Sequence, residues 1–500
     1  MCEWVSECVY ICLFVIMYLC TFTHFTAGMP KRKPAPSGTR RSARNAPQKV
    51  HGWASLMFVL FKICLELAVV DVNSMISVAS VCRQWCMHLR SGMMAKVRLN
   101  RFRYIHRLSF RRYSILSCIT GLDLSLCSYM TNTTLKSLKH LPNLLHLNIS
   151  RSMFPDCSMC TLNGTGFDSL SEMVKLKSLD LSRIRVSSEY LTKLQALTNL
   201  ERLCVPECTM FAQQFISCLL PMIGLKYLKF GYGCFELSTA AISDSCVHML
   251  CQLTSLTYLD ISWWQGATAS SFDHIYALTN IRTLHTSGKY FKDRGAGLIS
   301  RCIGLTNLSL TGTLMTGVGV SHLSKLVNLR RLDLSSSLIT GEGFRSISTL
   351  SHLTCLNLSF CIGLTEMDLT CLYDMANLQF LCLLNLPFSV TDNTLVGLGG
   401  LPNLLYLNLY QTSITDVGIH SLLVGGTKLH TLYLDGTDIT GEAMSMLIPL
   451  RSLKYVSVVY CIQLPRESLI HFAMSRMDVG VYPYDSTPAI DIMTNIDPIM

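Results

Sequence analysis

At 353–367 the chain reads LTCLNLSFCIGLTEM. Leu353, Leu356 and Leu358 set a template: an apolar residue, two variable positions, Leu, one variable position, and another apolar residue. Toward the N-terminus the template begins again at Leu329, Leu305, Ile281, Leu256, Leu225, Leu200, Leu176, Leu144 and Ile119. Toward the C-terminus it begins at Leu378, Leu404, Leu429 and Leu453, which makes fourteen occurrences. The spacing is 24–26 residues, except two steps of 31–32 that imply loop insertions near 151–175 and 231–255. A fixed period of this length marks a stacked repeat array, not a string of separate domains.

Each L-x-x-L-x-L stretch is expected to lay one short strand, with its leucines pointing inward and its variable residues outward. One turn cannot bury its own leucines, so stability comes from stacking on the neighbours. Between strands, Ile339-Thr340-Gly341-Glu342-Gly343, Ile414-Thr415-Asp416-Val417-Gly418 and Ile439-Thr440-Gly441-Glu442 offer an isoleucine to the core. The threonine that follows is placed to cap a short helix on the convex side. The pattern is identified as a leucine-rich repeat. The fold expected is α/β, a curved solenoid of about fourteen repeats over 113–470, with a C-terminal cap and tail at 471–500.

The ninth residue of each repeat should be small and polar, because it turns inward beneath loop backbone groups. It reads Cys127, Ser152, Ile184, Cys208, Gly233, Trp264, Lys289, Thr313, Ser337, Cys361, Leu386, Thr412, Thr437 and Cys461, nine of them Cys, Ser or Thr. That gives four cysteines a structural reason. It also resembles the cysteine-containing subclass of leucine-rich repeats.

Composition fits an extended, leucine-packed chain. Apolar residues are 50% and charged residues 15% of the 500, which excludes a largely disordered protein. The 23 cysteines are scattered and odd in number, which excludes a disulfide-dense miniprotein and favours reduced thiols in the cytosol or nucleus. The net charge of +10 is uneven: 31–49 carry +7, 90–112 carry +8, and 113–500 carry −3. A basic partner surface is therefore expected in the N-terminal quarter and not in the body, so nucleic acid is not an expected partner of the repeats. The tail at 29–49 reads as a basic disordered segment or as a nuclear-localisation or nucleic-acid-binding tail.

Residues 8–22, CVYICLFVIMYLCTF, form an uncharged apolar run of signal-peptide length. Acids precede it and the basic cluster follows it, which suits a membrane anchor with the body in the cytosol better than a secretory signal. A third reading is that the chain starts at Met29, leaving 1–28 upstream of translation.

Residues 50–112 read as a small helical module with a basic linker. Within it, Val70-Asp71-Val72 is followed by Met75, Val78, Val81-Cys82-Arg83-Gln84-Trp85. Met75, Val78, Val81 and Trp85 recur at three- and four-residue steps, as on one helix face. This resembles the second half of an F-box, although the opening Leu-Pro pair is missing and Trp53–Leu56 must stand in for it. The resemblance implies a substrate receptor of a Skp–cullin ubiquitin ligase. Met75, Val78, Val81, Cys82 and Trp85 would then lie in the adaptor-binding helices. The plainer reading is a helical cap over the open end of the solenoid. Two other classes stand beside the ligase: a membrane-anchored or surface receptor using 8–22, and a regulatory or inhibitory scaffold.

No enzyme is legible. Cys157 and Cys160 form a lone CxxC pair, Gly295, Gly297, Gly317 and Gly319 lack a phosphate-binding context, and no HExxH occurs. Neither cofactor nor metal is expected. The outward strand positions are more informative. Tyr227, Tyr258, Phe380 and Tyr406 each precede the middle leucine, Tyr455 precedes the valine in its place, and Tyr410, Tyr433 and Tyr460 lie nearby. Phe380, Tyr406, Tyr433 and Tyr455 should form one aromatic ribbon about 15 Å long on the concave face. Such aromatics suit a protein partner, and being outward they should contribute little to the fold. Cross-strand bracing of the sheet is the alternative.

Overall fold

The structure is a computed structural model that describes residues 96–98, 119–127, 130–150, 164–182, 184, 188–205, 212–230, 244–262, 268–288 and 291–482. The F-box-like segment, the 8–22 run, the basic tail and the CxxC pair lie outside the described residues.

The chain divides into two compact units, 1–206 and 207–500. In the first, β1 (Lys96–Arg98), β2 (Gly121–Asp123), β3 (His146–Asn148), β4 (Ser178–Asp180) and β5 (Arg202–Val205) pair in parallel in chain order. In the second, the strands are β6 (Tyr227–Phe230), β7 (Tyr258–Ile261), β8 (Thr283–Ser287), β9 (Asn307–Thr311), β10 (Arg331–Asp333) and β11 (Cys355–Asn357). They continue as β12 (Phe380–Cys382), β13 (Tyr406–Asn408), β14 (Thr431–Tyr433), β15 (Tyr455–Ser457) and β16 (Gly480–Tyr482), again parallel and in chain order. Parallel neighbours need a crossover, and here it is a short α- or 3-10 helix, such as Asp392–Gly399, Asp416–Val424 or Gly441–Leu447.

The leucine template sets the register. The middle leucines pair in one row, for example Leu308, Leu332, Leu356, Leu381, Leu407 and Leu432, and each is at most 2% exposed. Two strands exceed the fourteen expected from the template: β1 and β16 lie outside 113–470. Val97 and Val481 occupy the middle-leucine row beside Leu122 and Val456. Neither stretch carries three spaced leucines, so the template did not mark them.

The ninth position behaves as its chemistry demands. The thiols of Cys361 and Cys461 donate to the carbonyls of Leu334 (3.1 Å) and Leu434 (3.0 Å), each one repeat back. The hydroxyls of Thr412 and Thr437 donate to Leu409 and Leu434 at 2.6 Å. Burial pushes the Cys361 thiol up to about 12, so it stays a neutral donor. Leu386 and Ile184 fill the same place as apolar plugs.

Two further ladders join repeats. Of the three expected threonine caps two form: Thr415 and Thr440 accept the N–H of Val417 and Glu442, as Thr316 does from Val318, whereas Thr340 stands at its helix start without a side-chain cap bond. Each capping threonine is itself held by an aspartate of the preceding repeat, Thr316 by Asp293, Thr415 by Asp392 and Thr440 by Asp416, with both its N–H and its hydroxyl donating to the carboxylate. At the opposite end of the crossover, Asn280, Asn328, Asn377 and Asn403 donate to Thr254, Ile303, Ser351 and Ala376 carbonyls. These bonds give backbone groups between turns the partners that burial requires.

The eighth residue is left-handed, with φ between 52° and 61° at Leu126, Ser336, Phe360, Asn385, Gln411 and Tyr460, and 67° at Gly312 and Gly436. Only glycine adopts this without cost. Gly312 isolates the backbone effect, because a Cβ there would meet nothing within 4 Å. Gly312→Ala should lose about 1 kcal/mol and Ser336→Gly should gain about the same in urea titrations. Equal melting of all three proteins would contradict it.

Candidate binding surface

Residues three and five of each template share the outward face, since strand side chains alternate. On the second unit the first row runs Tyr227, Tyr258, Thr283, Asn307, Arg331, Cys355, Phe380, Tyr406, Thr431, Tyr455. The second row includes Asp333, Asn357, Cys382, Asn408, Tyr433 and Ser457.

The aromatic residues at the C-terminal end meet, but not in the single row expected. Thr431, not Tyr433, stands opposite Tyr406. Tyr433 lies in the second row and bridges diagonally. Ring centroids are 5.8 Å apart for Phe380–Tyr406, 5.5 Å for Tyr406–Tyr433 and 5.3 Å for Tyr433–Tyr455. These tilted pairs fall in the favourable range for aromatic contacts.

The expectation that these rings contribute little to the fold is corrected for two of them. Tyr406 and Tyr433 are only 5% exposed and form a cluster with Cys382, while Phe380 and Tyr455 pack against it half-buried. Strands about 5 Å apart force large outward side chains onto one another, so the inner rings lose their solvent. Burial raises both phenols and leaves them neutral, and pushes the Cys382 thiol up to about 12. The Tyr406 hydroxyl is buried without a hydrogen bond of normal geometry, facing Asn408 and Tyr433. Beyond the ring chain, Asp435 is buried and accepts from Ser457 Oγ (2.5 Å) and the Val459 N–H (2.6 Å). Burial, only partly offset by these bonds, raises its carboxyl.

The other candidate residues separate from this cluster. Tyr227 and Tyr258 stack on each other at 4.0 Å, with His285 next at 5.5 Å, at the far end of the same face. Tyr410 lies past the end of β13, its N–H bonded to Asn408 Oδ1 (3.0 Å). Met75, Val78, Val81, Cys82 and Trp85 lie outside the described residues. Cys382 and Asn408 were not singled out by sequence, although period-two alternation places them beside Phe380 and Tyr406. Among the described residues no group of three or more His, Cys, Asp or Glu could hold a metal, and no helix is long and apolar enough to cross a membrane.

One parallel strand per repeat, a buried leucine row and a crossover helix make the fold that of a leucine-rich-repeat solenoid. No protein-family model matches the chain, and no curated protein does. Among solved structures the chain is similar to an internalin from Listeria monocytogenes, at 19% identity over 70% of this chain and 93% of that one, TM-score 0.46. It is similar to a leucine-rich-repeat protein of Leptospira interrogans, at 16% identity over 74% and 85%, TM-score 0.38. The leucine-rich-repeat ectodomain of a membrane receptor kinase from Arabidopsis thaliana is a third, at 17% identity over 74% and 45%, TM-score 0.41.

Proposed function

We propose that the chain is a non-catalytic recognition scaffold that holds a partner protein on the outward face of β12–β15. The observation that carries this reading is the contiguous aromatic cluster Phe380–Tyr406–Tyr433–Tyr455 with a buried phenol oxygen at its centre lacking a normal hydrogen bond. Rigid, pre-stacked rings offer contact area at small entropy cost, and Phe380 and Tyr455 at the cluster's ends retain open surface. The F-box resemblance at 70–85 supports the finer reading: the bound protein is a substrate presented to a Skp-type adaptor and cullin.

One co-purification experiment on the full chain tests both levels. Phe380→Ala with Tyr455→Ala should weaken capture of the cross-linked partner by about 2 kcal/mol per anchor while retaining the adaptor. Val81→Ala with Trp85→Ala should do the reverse. If the wild-type chain brings down neither adaptor nor cullin, 50–85 is a cap and the ligase reading fails. If the aromatic pair changes nothing, the rings only brace the sheet. Tyr406→Ala is a poor probe, because its burial couples binding to stability.

A further inference from the structure

The body of the chain has a slightly negative total charge, yet its repeats sort charge by edge. The turns that lead into β8, β9 and β10 span 277–282, 301–306 and 325–330. They contain Arg282, Arg301, Lys325 and Arg330 and no Asp or Glu. All four are exposed. The nearby carboxylates are engaged elsewhere: Asp273 with Arg294 at 2.8 Å, and Asp293 with Thr316 and the Gly319 N–H on the helical side. The expectation that the body carries no basic surface is therefore corrected for this edge.

Two of the four cations are held in place. Arg282 Nη1 donates to the Gly304 carbonyl at 2.9 Å, and a Cβ at 304 would collide with that nitrogen. Arg301 lies over the Tyr276 ring at 3.9 Å from its centroid. Among these cations sit two apolar side chains turned to solvent, Ile303 at 66% and Val327 at 58% exposed. Their turns are tied together by Asn328, which donates to the Ile303 carbonyl at 3.0 Å. In the adjoining strand starts, Thr306 N–H bonds Arg282 O and Arg330 N–H bonds Thr306 O, which sets the two arginines two strands apart.

We infer that this leading edge of β8–β10 docks an acidic segment of a partner protein in which carboxylates flank an apolar residue. Guanidinium groups restrained by a carbonyl and by a ring are pre-oriented for carboxylates. Ile303 and Val327 give the apolar residue a place that charge alone would not. The strip is about 10 Å wide, the reach of a few extended residues. Non-specific nucleic-acid binding commonly draws on about 6–10 phosphate contacts, more than four cations supply. The site is separate from the aromatic cluster and stands without it.

The probe is a short fluorescein-labelled peptide with glutamates on both sides of a leucine pair, titrated against the full chain by anisotropy. Binding is expected at low salt and should fall steeply as salt is added. Arg301→Glu with Arg330→Glu should weaken it about tenfold or more. Ile303→Ser with Val327→Ser should weaken it several-fold while keeping the salt dependence. Gly304→Val keeps every charge but displaces Arg282, and should also weaken binding, with thermal melting verifying the fold of each variant. Phe380→Ala with Tyr455→Ala should leave peptide affinity unchanged, which separates this site from the proposed recognition face. Unchanged affinity in the Arg301/Arg330 variant overturns the inference. So does binding of phosphatidylserine vesicles or a single-stranded oligonucleotide at this edge, lost in that variant, when the peptide itself does not bind.

Discussion

Leu356→Ala should destabilise the second unit by about 2–5 kcal/mol. Leu356 is fully buried in the middle-leucine row, opposite Leu332 on one side and Leu381 on the other. Removing its branched end leaves a cavity that two flanking strands must share, and a parallel ladder closed on both sides has little freedom to collapse. The loss should not stay in one repeat, because repeat arrays couple through nearest neighbours. Hydrogen exchange should therefore accelerate first in β10, β11 and β12, and later toward β7 and β15. Leu332→Ala should behave alike. Unchanged urea midpoints and exchange in both variants would show that the leucine row is misplaced.

Arg476→Met should cost about 3 kcal/mol or more, concentrated in the last repeat. The Arg476 side chain is 2% exposed, at the end of the helix Arg466–Ser475. Its Nη1 donates to Ile448 O (3.0 Å) and Leu450 O (2.8 Å), and its Nη2 to Leu453 O (2.9 Å). Nε and Nη2 also bond the exposed Asp478 carboxylate at 2.8 and 3.0 Å, and hydrogen bonding from Arg476 is the main reason that carboxyl lies below its usual range. Methionine keeps much of the volume but leaves the Ile448 and Leu453 carbonyls without a donor, and Leu450 O with only the Leu453 N–H. Burying an unpaired carbonyl costs far more than a made bond gains, so the turn at 448–453 should open and release β16. Limited proteolysis should clip the variant near 476–482 before the rest of the chain. Arg476→Lys should rescue only part of the loss, since an ammonium cannot span three carbonyls in the guanidinium's fixed fork. A proteolysis pattern identical to wild type would refute the role of this arginine.

The sequence by itself determined which strand residues point inward, and through them the fold. Period-two alternation inside a 24–26-residue repeat is a local signal, so Leu356, Cys361 and Thr415 could be placed inward, beneath the loop and at a helix cap from their own neighbours alone. Tertiary structure decided how side chains from different repeats meet. The Asp392–Thr415 clamp joins residues 23 apart, and no pattern within one repeat distinguishes that aspartate from a solvated one. Tyr433 sits one row away from Tyr406 yet touches it, because ring contact depends on the diagonal offset of adjacent strands, which spacing does not encode. The cations at 282, 301, 325 and 330 look dispersed along the chain and only become one edge when three turns stack. Arg476 reads as a tail residue until the helix before it brings its guanidinium over three carbonyls of the preceding turn. Facing inward is a property each strand residue carries with its sequence neighbours, whereas pairing, and the burial of outward groups such as Tyr406 and Tyr433, is fixed by the register and offset between strands, and those exist only once the repeats have stacked.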